Sequence, residues 1–343
     1  MKPAVWPAER PEEGRLLHVE PRAGRFTDAR VADLPPLLRE GDLLVLNDAA
    51  TLPASLPGRT AAGEHLELRL MAREPQGTWT AVLFGAGDWR KRTEDRPPPP
   101  ELPAGTRFTV GGLAARVVEV LPPSPRLLRV AFDAQGAALW SALYRAGRPV
   151  QYSYTAGPLA LWHVQTVYGA RPWAVEAPSA GLPLTWNLLL ALRRRGVRLA
   201  SLTHAAGLSS TGDAALDAAL PRPERSDIPA ATVEAVEATR AAGGRVVAVG
   251  TTVVRALEGR AVQHGGRLVP GEGTTDLLLG PGFVPRVVHG LLTGVHEPGS
   301  SHHALLQSFA PLPLLKEAAG HAEARGYLGH EFGDSCLILD GDA

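Results

Sequence analysis

Between Pro229 and Gly259 the chain reads PAATVEAVEATRAAGGRVVAVGTTVVRALEG, a helix, a strand and a second helix with little between them. Pro229 suits the first helical position, because its missing N–H is one that a helix start leaves unbonded, and Gly243–Gly244 stops the run. RVVAVG, from Arg245, is apolar on successive residues, the pattern of a strand covered on both faces. TTVVRALEG then resumes a helix. The same alternation recurs on either side. Thr185 caps a helix that runs through Trp186–Leu192 and ends at Gly196, and VRLASLTH follows as a strand. Upstream, GDLLVLNDAATLPASL carries a buried-looking strand at Leu43–Leu46. Downstream, TTDLLLGPG reads as a strand, and SSHHALLQSFAPL as a helix capped by Ser300 or Ser301. Repeated strand–helix units of this kind imply a parallel or mixed sheet covered by helices.

The texture changes between about Pro57 and Pro149. HLELRLMARE, TWTAVLFG, TRFTV, LAARVVEVL and RLLRVAFD give five short strands with almost no helical periodicity, separated by glycine and proline. That pattern suggests a small β-barrel or sandwich, with Pro97–Pro100 as an extended spacer inside it. The expected fold class is therefore α/β: a barrel-like α/β domain built from both chain ends, residues 1–56 and 150–343, with a small all-β barrel inserted at 57–149.

Composition narrows the function. The 343 residues are 45% hydrophobic and 20% charged, and their formal net charge is zero, so no global field draws the chain to nucleic acid. Lysine occurs only at Lys2, Lys91 and Lys316, so arginine carries nearly all the positive charge. Two basic clusters, Trp89-Arg90-Lys91-Arg92 and Arg193-Arg194-Arg195 with Arg198, would suit phosphates, although the second also complements a helix C-terminus. No apolar run is long enough to span a membrane, and the N-terminal residues lack a signal-peptide core. A cytoplasmic, membrane-free monomer is expected. The lone Cys336 excludes an internal disulfide. GxSxG, GxGxxG after a strand and CxxC are absent, which removes the common hydrolase, dinucleotide and zinc-ribbon readings.

In α/β proteins ligands gather beyond the carboxyl ends of the strands. Four loops there carry suitable residues. In EAPSAGLPLT, Glu176 could act as a base, while Ser179 and the amides near Gly181 could hold an anion at a helix start. Gly250, Thr251 and Thr252 precede the helix bearing Arg255 and Glu258, and suit a carboxylate or ribose hydroxyls. Asp276, opening a strand after two threonines, could reach an amine or a sugar hydroxyl. In TGVHEPGSSHHALL, His296 is the candidate acid/base group, with Glu297, His302 and His303 close in sequence. No HExxH pattern is present and no metal is expected. Ordinary capping and turn formation would explain each loop taken alone.

Taken in order, NDAATLPASL, VQTVYG, APSAGLPLT, SLTHAAGLSST, AVGTTVVRALE, TDLLLGPG, TGVHEPGSS and FGDSCLI resemble one family. The S-adenosylmethionine:tRNA ribosyltransferase-isomerases of queuosine biosynthesis carry NDxRVIPARL, YQTVYA, APTAGLHFT, TLHVGxGTFxPV, AVGTTSVRTLE, TDIFIxPG, TNFHLPxS and YGDAMLI. The resemblance implies an enzyme with S-adenosylmethionine as co-substrate and no metal. Its ribosyl part would pass to the aminomethyl group of a deazaguanine base in tRNA, forming an epoxycyclopentanediol as adenine and methionine leave. On that reading His296, Asp276 and Glu176 serve the chemistry. Ser179, Gly181, Gly250, Thr251, Thr252 and Arg255 line the S-adenosylmethionine site. This chain departs from the pattern at Ala50 and Ser55 (arginines in the family), Pro183 and Thr203 (histidines), Gly294 (asparagine) and Glu297 (leucine). His204 stands one position after the family histidine, which places it on the other side of a strand. Two other functions fit the same residues: an S-adenosylmethionine enzyme with a different, small-molecule acceptor, and a non-catalytic binding protein.

Overall fold

The structure is a computed structural model that describes residues 1–220, 222–296 and 301–341, with the backbone alone of Ser301 and His302. Nine strands form one mixed sheet in the order Gly271–Thr275, Glu224–Ile228, Arg198–His204, Leu43–Asn47, Val246–Val249, Gly290–Gly294, Ser335–Ile338, Arg15–Glu20 and Arg25–Arg30. Its middle is parallel. The Leu43 strand lies between the Arg198 and Val246 strands, and Gly290–Gly294 follows, all four pointing the same way. The two central ones, Leu43–Asn47 and Val246–Val249, carry nearly continuous apolar sequence, and alternation divides their side chains between two cores. Leu43, Val45, Val246 and Ala248 face helices Thr251–Gln263 and Leu312–Ala324. Leu44, Leu46, Val247 and Val249 face helix Trp186–Arg194 and the short helix Leu34–Leu37. A parallel sheet buried this way cannot leave its polar strand ends in an apolar layer, so they emerge together at one rim.

Six strands close a separate barrel: Ser55–Thr60, His65–Arg73, Trp79–Phe84, Arg107–Val110, Leu113–Val120 and Leu127–Phe132. The first of these is not among the five strands expected from sequence. SLPGRT carries a proline and a glycine, which argue against a strand interior. Gly58 has a physical reason to be there: a Cβ would meet Thr109 O at 2.3 Å and Val110 at 2.5 Å, so strand closure at this point needs a bare backbone. Helix Gly136–Ala146, also unread in the sequence, plugs the barrel core with Leu139 and Leu143. Pro97–Pro100 has no regular structure, and the Pro97 carbonyl passes so close to Gly85 that a Cβ would sit 2.0 Å from it.

TTDLLLGPG is likewise shorter than its sequence suggests. The strand ends at Thr275, and Asp276–Gly280 is irregular. Leu278 is 69% exposed, so the apolar run is not buried through its length.

Two glycines separate close approach from open space. Gly85→Ala should destabilise the fold by about 1–3 kcal/mol, because backbone blocks the methyl group. Gly320, exposed in helix Leu312–Ala324, has no atom within 4 Å of its Cβ position, so Gly320→Ala should stabilise by about 0.5–1 kcal/mol. Urea melts of both variants check the pair.

Candidate functional site

The four parallel strands end at one rim, where Asn47 joins the ends of two of them to the start of the next helix. This side chain is 1% exposed. Its Oδ1 accepts from the N–H of His204 at 2.9 Å and of Ala49 at 3.1 Å. Its Nδ2 donates to His204 O at 3.0 Å and to Thr252 Oγ1 at 3.3 Å. The end of the Leu43 strand is thus tied to the end of the Arg198 strand and to the helix that begins after Val249. At that helix start Gly250 has φ +91°, a conformation that L side chains rarely adopt. Gly250 N–H donates to Leu292 O at 2.8 Å, fixing the junction against the Gly290 strand. Thr251 and Thr252 are half-buried on the first turn, where a helix leaves N–H groups unbonded.

Asp48, next to Asn47, accepts from Thr203 Oγ1 at 2.6 Å and from Ser201 Oγ at 3.1 Å. Thr203 therefore faces the rim, and His204 turns to the opposite side, as the one-residue displacement requires. The His204 ring is fully buried, with Nε2 3.5 Å from Glu224 Oε2. Burial and the nearby Arg255 charge push its pKa down to about 3, so the ring is neutral and this contact is not an ion pair. Neither ring nitrogen has a hydrogen-bond partner among the described residues.

The loop after strand Arg171–Ala174 supplies the next wall. Ser179–Gly181 forms a 3-10 turn ahead of the helix capped by Thr185, whose Oγ1 accepts from Leu188 N–H at 3.4 Å. At Gly181 a Cβ would lie 2.0 Å from the Tyr168 hydroxyl, and Ala180 lies 3.5 Å from the corresponding point at Gly250. The glycines of APSAGL and AVGTT thus let two loops and a tyrosine converge. Burial, with Asp48 adding to it, raises the Tyr168 pKa above its ordinary value. Gln165, from the same VQTVYG segment, braces the backbone. Its amide donates to Thr51 O at 2.8 Å and accepts from Thr51 N–H at 2.9 Å.

Glu176 is half-buried and accepts three hydrogen bonds on Oε1: from the Tyr152 hydroxyl, from Ser209 N–H at 2.9 Å and from Ser209 Oγ at 3.1 Å. Burial nevertheless raises its pKa, and these bonds only partly offset it. Tyr152, buried against that carboxylate, is raised well above the phenol range. A second carboxyl, Glu224, is raised for the same reason, with Arg255 opposing the shift. Its Oε1 accepts from Gly207 N–H at 3.0 Å and its Oε2 from Arg255 Nη1.

Arg255, expected at the S-adenosylmethionine site, is bonded within this network. The guanidinium is 7% exposed, Nε donates to Leu277 O at 3.1 Å, and Nη1 is taken by Glu224, which leaves only Nη2 without a partner among the described residues. It is not a free clamp. Glu258, three residues on, is fully buried and accepts from the N–H groups of Arg286, Val287 and Val288 at 2.8–2.9 Å, so it anchors a loop. Asp276 is also placed differently from the sequence expectation. It is exposed beyond the end of an edge strand and makes no hydrogen bond or ion pair with a described residue. His296, half-buried just past the Gly290 strand, shares a 2.8 Å hydrogen bond between Nε2 and Thr293 Oγ1. Glu297 and Ser300 lie outside the described residues. His303 is 3% exposed, and burial lowers its pKa. Among the described residues no three ligating side chains come together for a metal ion, and no helix is long and apolar enough to cross a membrane.

The structure therefore brings Ser179, Gly181, Gly250, Thr251 and Thr252 to one rim, holds Glu176 beside it, and leaves Asp276 at its edge. Sequence reasoning missed Asn47, Asp48, Tyr152, Ser209 and Glu224. An Asn-Asp pair directly after an apolar strand was a legible sign, whereas Glu224 opens the polar strand ERSDI, which carries no strand pattern.

An α/β sheet with an inserted six-stranded barrel and a hydroxyl- and carboxyl-lined rim defines the class, and comparison with known proteins gives the family. A family profile described as "Queuosine biosynthesis protein" matches residues 2–338. The S-adenosylmethionine:tRNA ribosyltransferase-isomerase of Gluconacetobacter diazotrophicus is 37% identical over 344 residues, covering 98% of this chain and 92% of that protein. The enzyme of the same name from Thermus thermophilus is 37% identical, covering 96% and 94%. The crystal structure of S-adenosylmethionine tRNA ribosyltransferase from Thermotoga maritima matches with a TM-score of 0.54 at 25% identity, covering 98% of this chain and 96% of that one. The chain belongs to the queuosine biosynthesis family.

The raised carboxyls fix a pH dependence. A carboxyl that holds its proton more tightly when folded adds stability at low pH, and that contribution is lost as pH rises through its folded-state value. Glu176→Gln keeps an oxygen that can accept from Tyr152 and Ser209 but cannot ionise. Its urea midpoint relative to wild type should therefore rise over an interval that starts at about pH 4, the ordinary carboxylate range, and extends upward. A difference that stays flat across that interval would place Glu176 in an ordinary solvated setting.

Proposed function

We propose that this chain transfers and isomerises the ribosyl part of S-adenosylmethionine onto the 7-aminomethyl-7-deazaguanine base of tRNA, releasing adenine and methionine and giving epoxyqueuosine. The observation that carries the reading is the convergence of four family segments, NDAATLPASL, APSAGLPLT, SLTHAAGLSST and AVGTTVVRALE, on the one rim tied by Asn47. In this proposal S-adenosylmethionine lies across that rim. The N–H groups and hydroxyls at Gly250–Thr251–Thr252 receive the methionine carboxylate, since a helix start favours an anion. Ser179 and the glycine at 181 form the opposite wall. Arg255 acts through Glu224, holding its carboxyl in place rather than meeting the co-substrate.

The reaction needs a group that removes the acidified proton beside the sulfonium. Glu176 suits this work: its raised proton affinity moves a carboxylate toward the range in which a base operates near neutrality, and Tyr152 and Ser209 fix its orientation. His296, held by Thr293, is placed to assist adenine departure, and exposed Asp276 is free to meet the acceptor amine or a ribose hydroxyl. Thr203, bonded to Asp48, occupies the place of a family histidine, and a hydroxyl–carboxylate pair replaces that imidazole as a polar contact. A small-molecule acceptor has no observation in its favour beyond the sequence departures.

Chromatographic assay of adenine from S-adenosylmethionine tests the proposal, run with tRNA carrying the aminomethyl-deazaguanine base and with tRNA lacking it. Adenine is expected only with the modified tRNA. Glu176→Gln should lower the rate by about 10²–10⁴-fold, the range for a lost proton-transfer group. Asp276→Asn should lower turnover while leaving the urea midpoint unchanged. Binding of S-adenosylmethionine with no adenine formed on the modified tRNA would redirect the search to another acceptor.

A further inference from the structure

Arg69, Arg96 and Arg126 surround the Phe84 ring at the barrel end, their guanidinium carbons 4.3, 5.3 and 4.8 Å from its centroid. Among the described residues one carboxylate is bonded to this group. Glu67 accepts from Arg69 Nε at 2.6 Å and from Arg96 Nη1. Asp213 and Asp217 act on Arg126 electrostatically but are occupied elsewhere. Asp213 accepts from Ser124 Oγ and the N–H groups of Ala215 and Leu216; Asp217 accepts from Thr211 and Gly212. Three guanidinium groups thus share one bonded carboxylate, and the nearby aspartates offset their charge only through space, which is costly for groups withdrawn from water. Arg96 is 9% exposed, and its Nε has no partner among the described residues. Arg126 donates to two carbonyls, Leu83 O at 2.9 Å through Nε and Thr211 O at 2.8 Å through Nη2, and neither carries a charge.

A cavity of about 250 Å³ opens at these residues, between Gly85, the Thr93–Pro99 segment and Gly212, and both Arg96 and Arg126 line it. It is too large for a water or a single small ion to fill. None of its described lining residues is aromatic, so it offers a nucleobase no face to stack on. The same loop carries Arg90, Lys91 and Arg92, of which Lys91 and Arg92 are exposed and Arg90 is exposed over most of its side chain. Arg90 pairs with Asp88, and Arg92 with Glu94 at 3.6 Å. Exposed pairs of this kind are weak and exchange readily for phosphate.

We propose that this cavity is a phosphate-binding site for the backbone of the RNA substrate, with Arg126 and Arg96 receiving one phosphodiester and Arg90-Lys91-Arg92 its neighbours. The inference rests on the tRNA reading above and adds to it a place, at the barrel, where the nucleic acid is held. Glu94, exposed at the cavity's edge, opposes an anion there, so its removal should strengthen binding.

The experiment measures tRNA affinity against salt concentration for the full-length wild type, Arg126→Gln and Glu94→Lys, alongside adenine release. Each phosphate contact contributes a slope of about one in log affinity against log salt. Glu94→Lys should bind several-fold more tightly with a slope steeper by about one unit. Arg126→Gln should bind several-fold more weakly with a slope shallower by about one unit. Arg126 also joins two carbonyls, so if that variant fails to fold, the exposed Glu94→Lys decides alone. A wild type that binds tRNA and releases adenine, with unaltered slopes in the folded variants, overturns the phosphate site and leaves the activity standing. A wild type that binds no tRNA overturns both. If inorganic phosphate raises the melting temperature of the wild type but not of Arg126→Gln while the tRNA slopes stay equal, the cavity holds a free anion and the RNA assignment fails.

Discussion

The side-chain amide of Asn47 is the contact on which the rim depends. Parallel strands hydrogen-bond along their lengths, but where they end and diverge into loops their last N–H and C=O groups need other partners. One buried carboxamide here meets His204 on both its N–H and its C=O, turns back to Ala49, and reaches the hydroxyl of Thr252. Aspartate could not replace it, because a carboxylate has no N–H to offer His204 O or Thr252. The same constraint sets the neighbouring chemistry. With Asn47 spent on structure, Asp48 is the polar group that faces Ser201 and Thr203.

The buried and half-buried carboxylates around the sheet divide into those that hold loops and those whose proton affinity is raised. Glu258 is buried completely yet saturated by three backbone N–H groups, and it behaves as a cap. Asp42 is equally buried and is held below the carboxylate range by Arg245, despite the cost of burial. Glu176 and Glu224 move in the opposite direction, because burial outweighs their bonds. Two carboxyls with raised proton affinity beside a rim, against Asp42 held in its ionised form by Arg245, is a separation that positions alone produce.

The sheet was legible in the sequence because its central strands are apolar on both faces, and the βα junctions announced themselves through Gly196, Gly243–Gly244 and Gly250. The barrel was legible in outline. Its first strand was not, since Pro57 and Gly58 argue against a strand interior until the packing against Thr109 and Val110 supplies their reason. Edge strands such as ERSDI, half solvated and polar, leave no periodic mark. In the site, glycines and hydroxyls at helix starts could be read locally. The partners that determine behaviour could not: Arg255 meets Glu224 across 31 positions, and Tyr152 meets Glu176 across 24. Pairing over such distances follows from the fold, so the sequence placed Arg255 at the site without its counter-charge.

The barrel's two chain ends meet. Ser55 and Arg148 exchange reciprocal backbone hydrogen bonds, each 2.9 Å long, where the chain leaves the sheet and where it returns. The Leu43 strand must then pair with the Arg198 strand, a partner separated from it by the whole barrel sequence. Joining the ends of a long flexible loop carries an entropic cost that grows with the logarithm of its length. A barrel already closed at Ser55–Arg148 removes most of that loop from the count and lowers the cost by on the order of 1 kcal/mol. The inserted barrel is in this sense a clasp, whose closure shortens the loop that the sheet has to span.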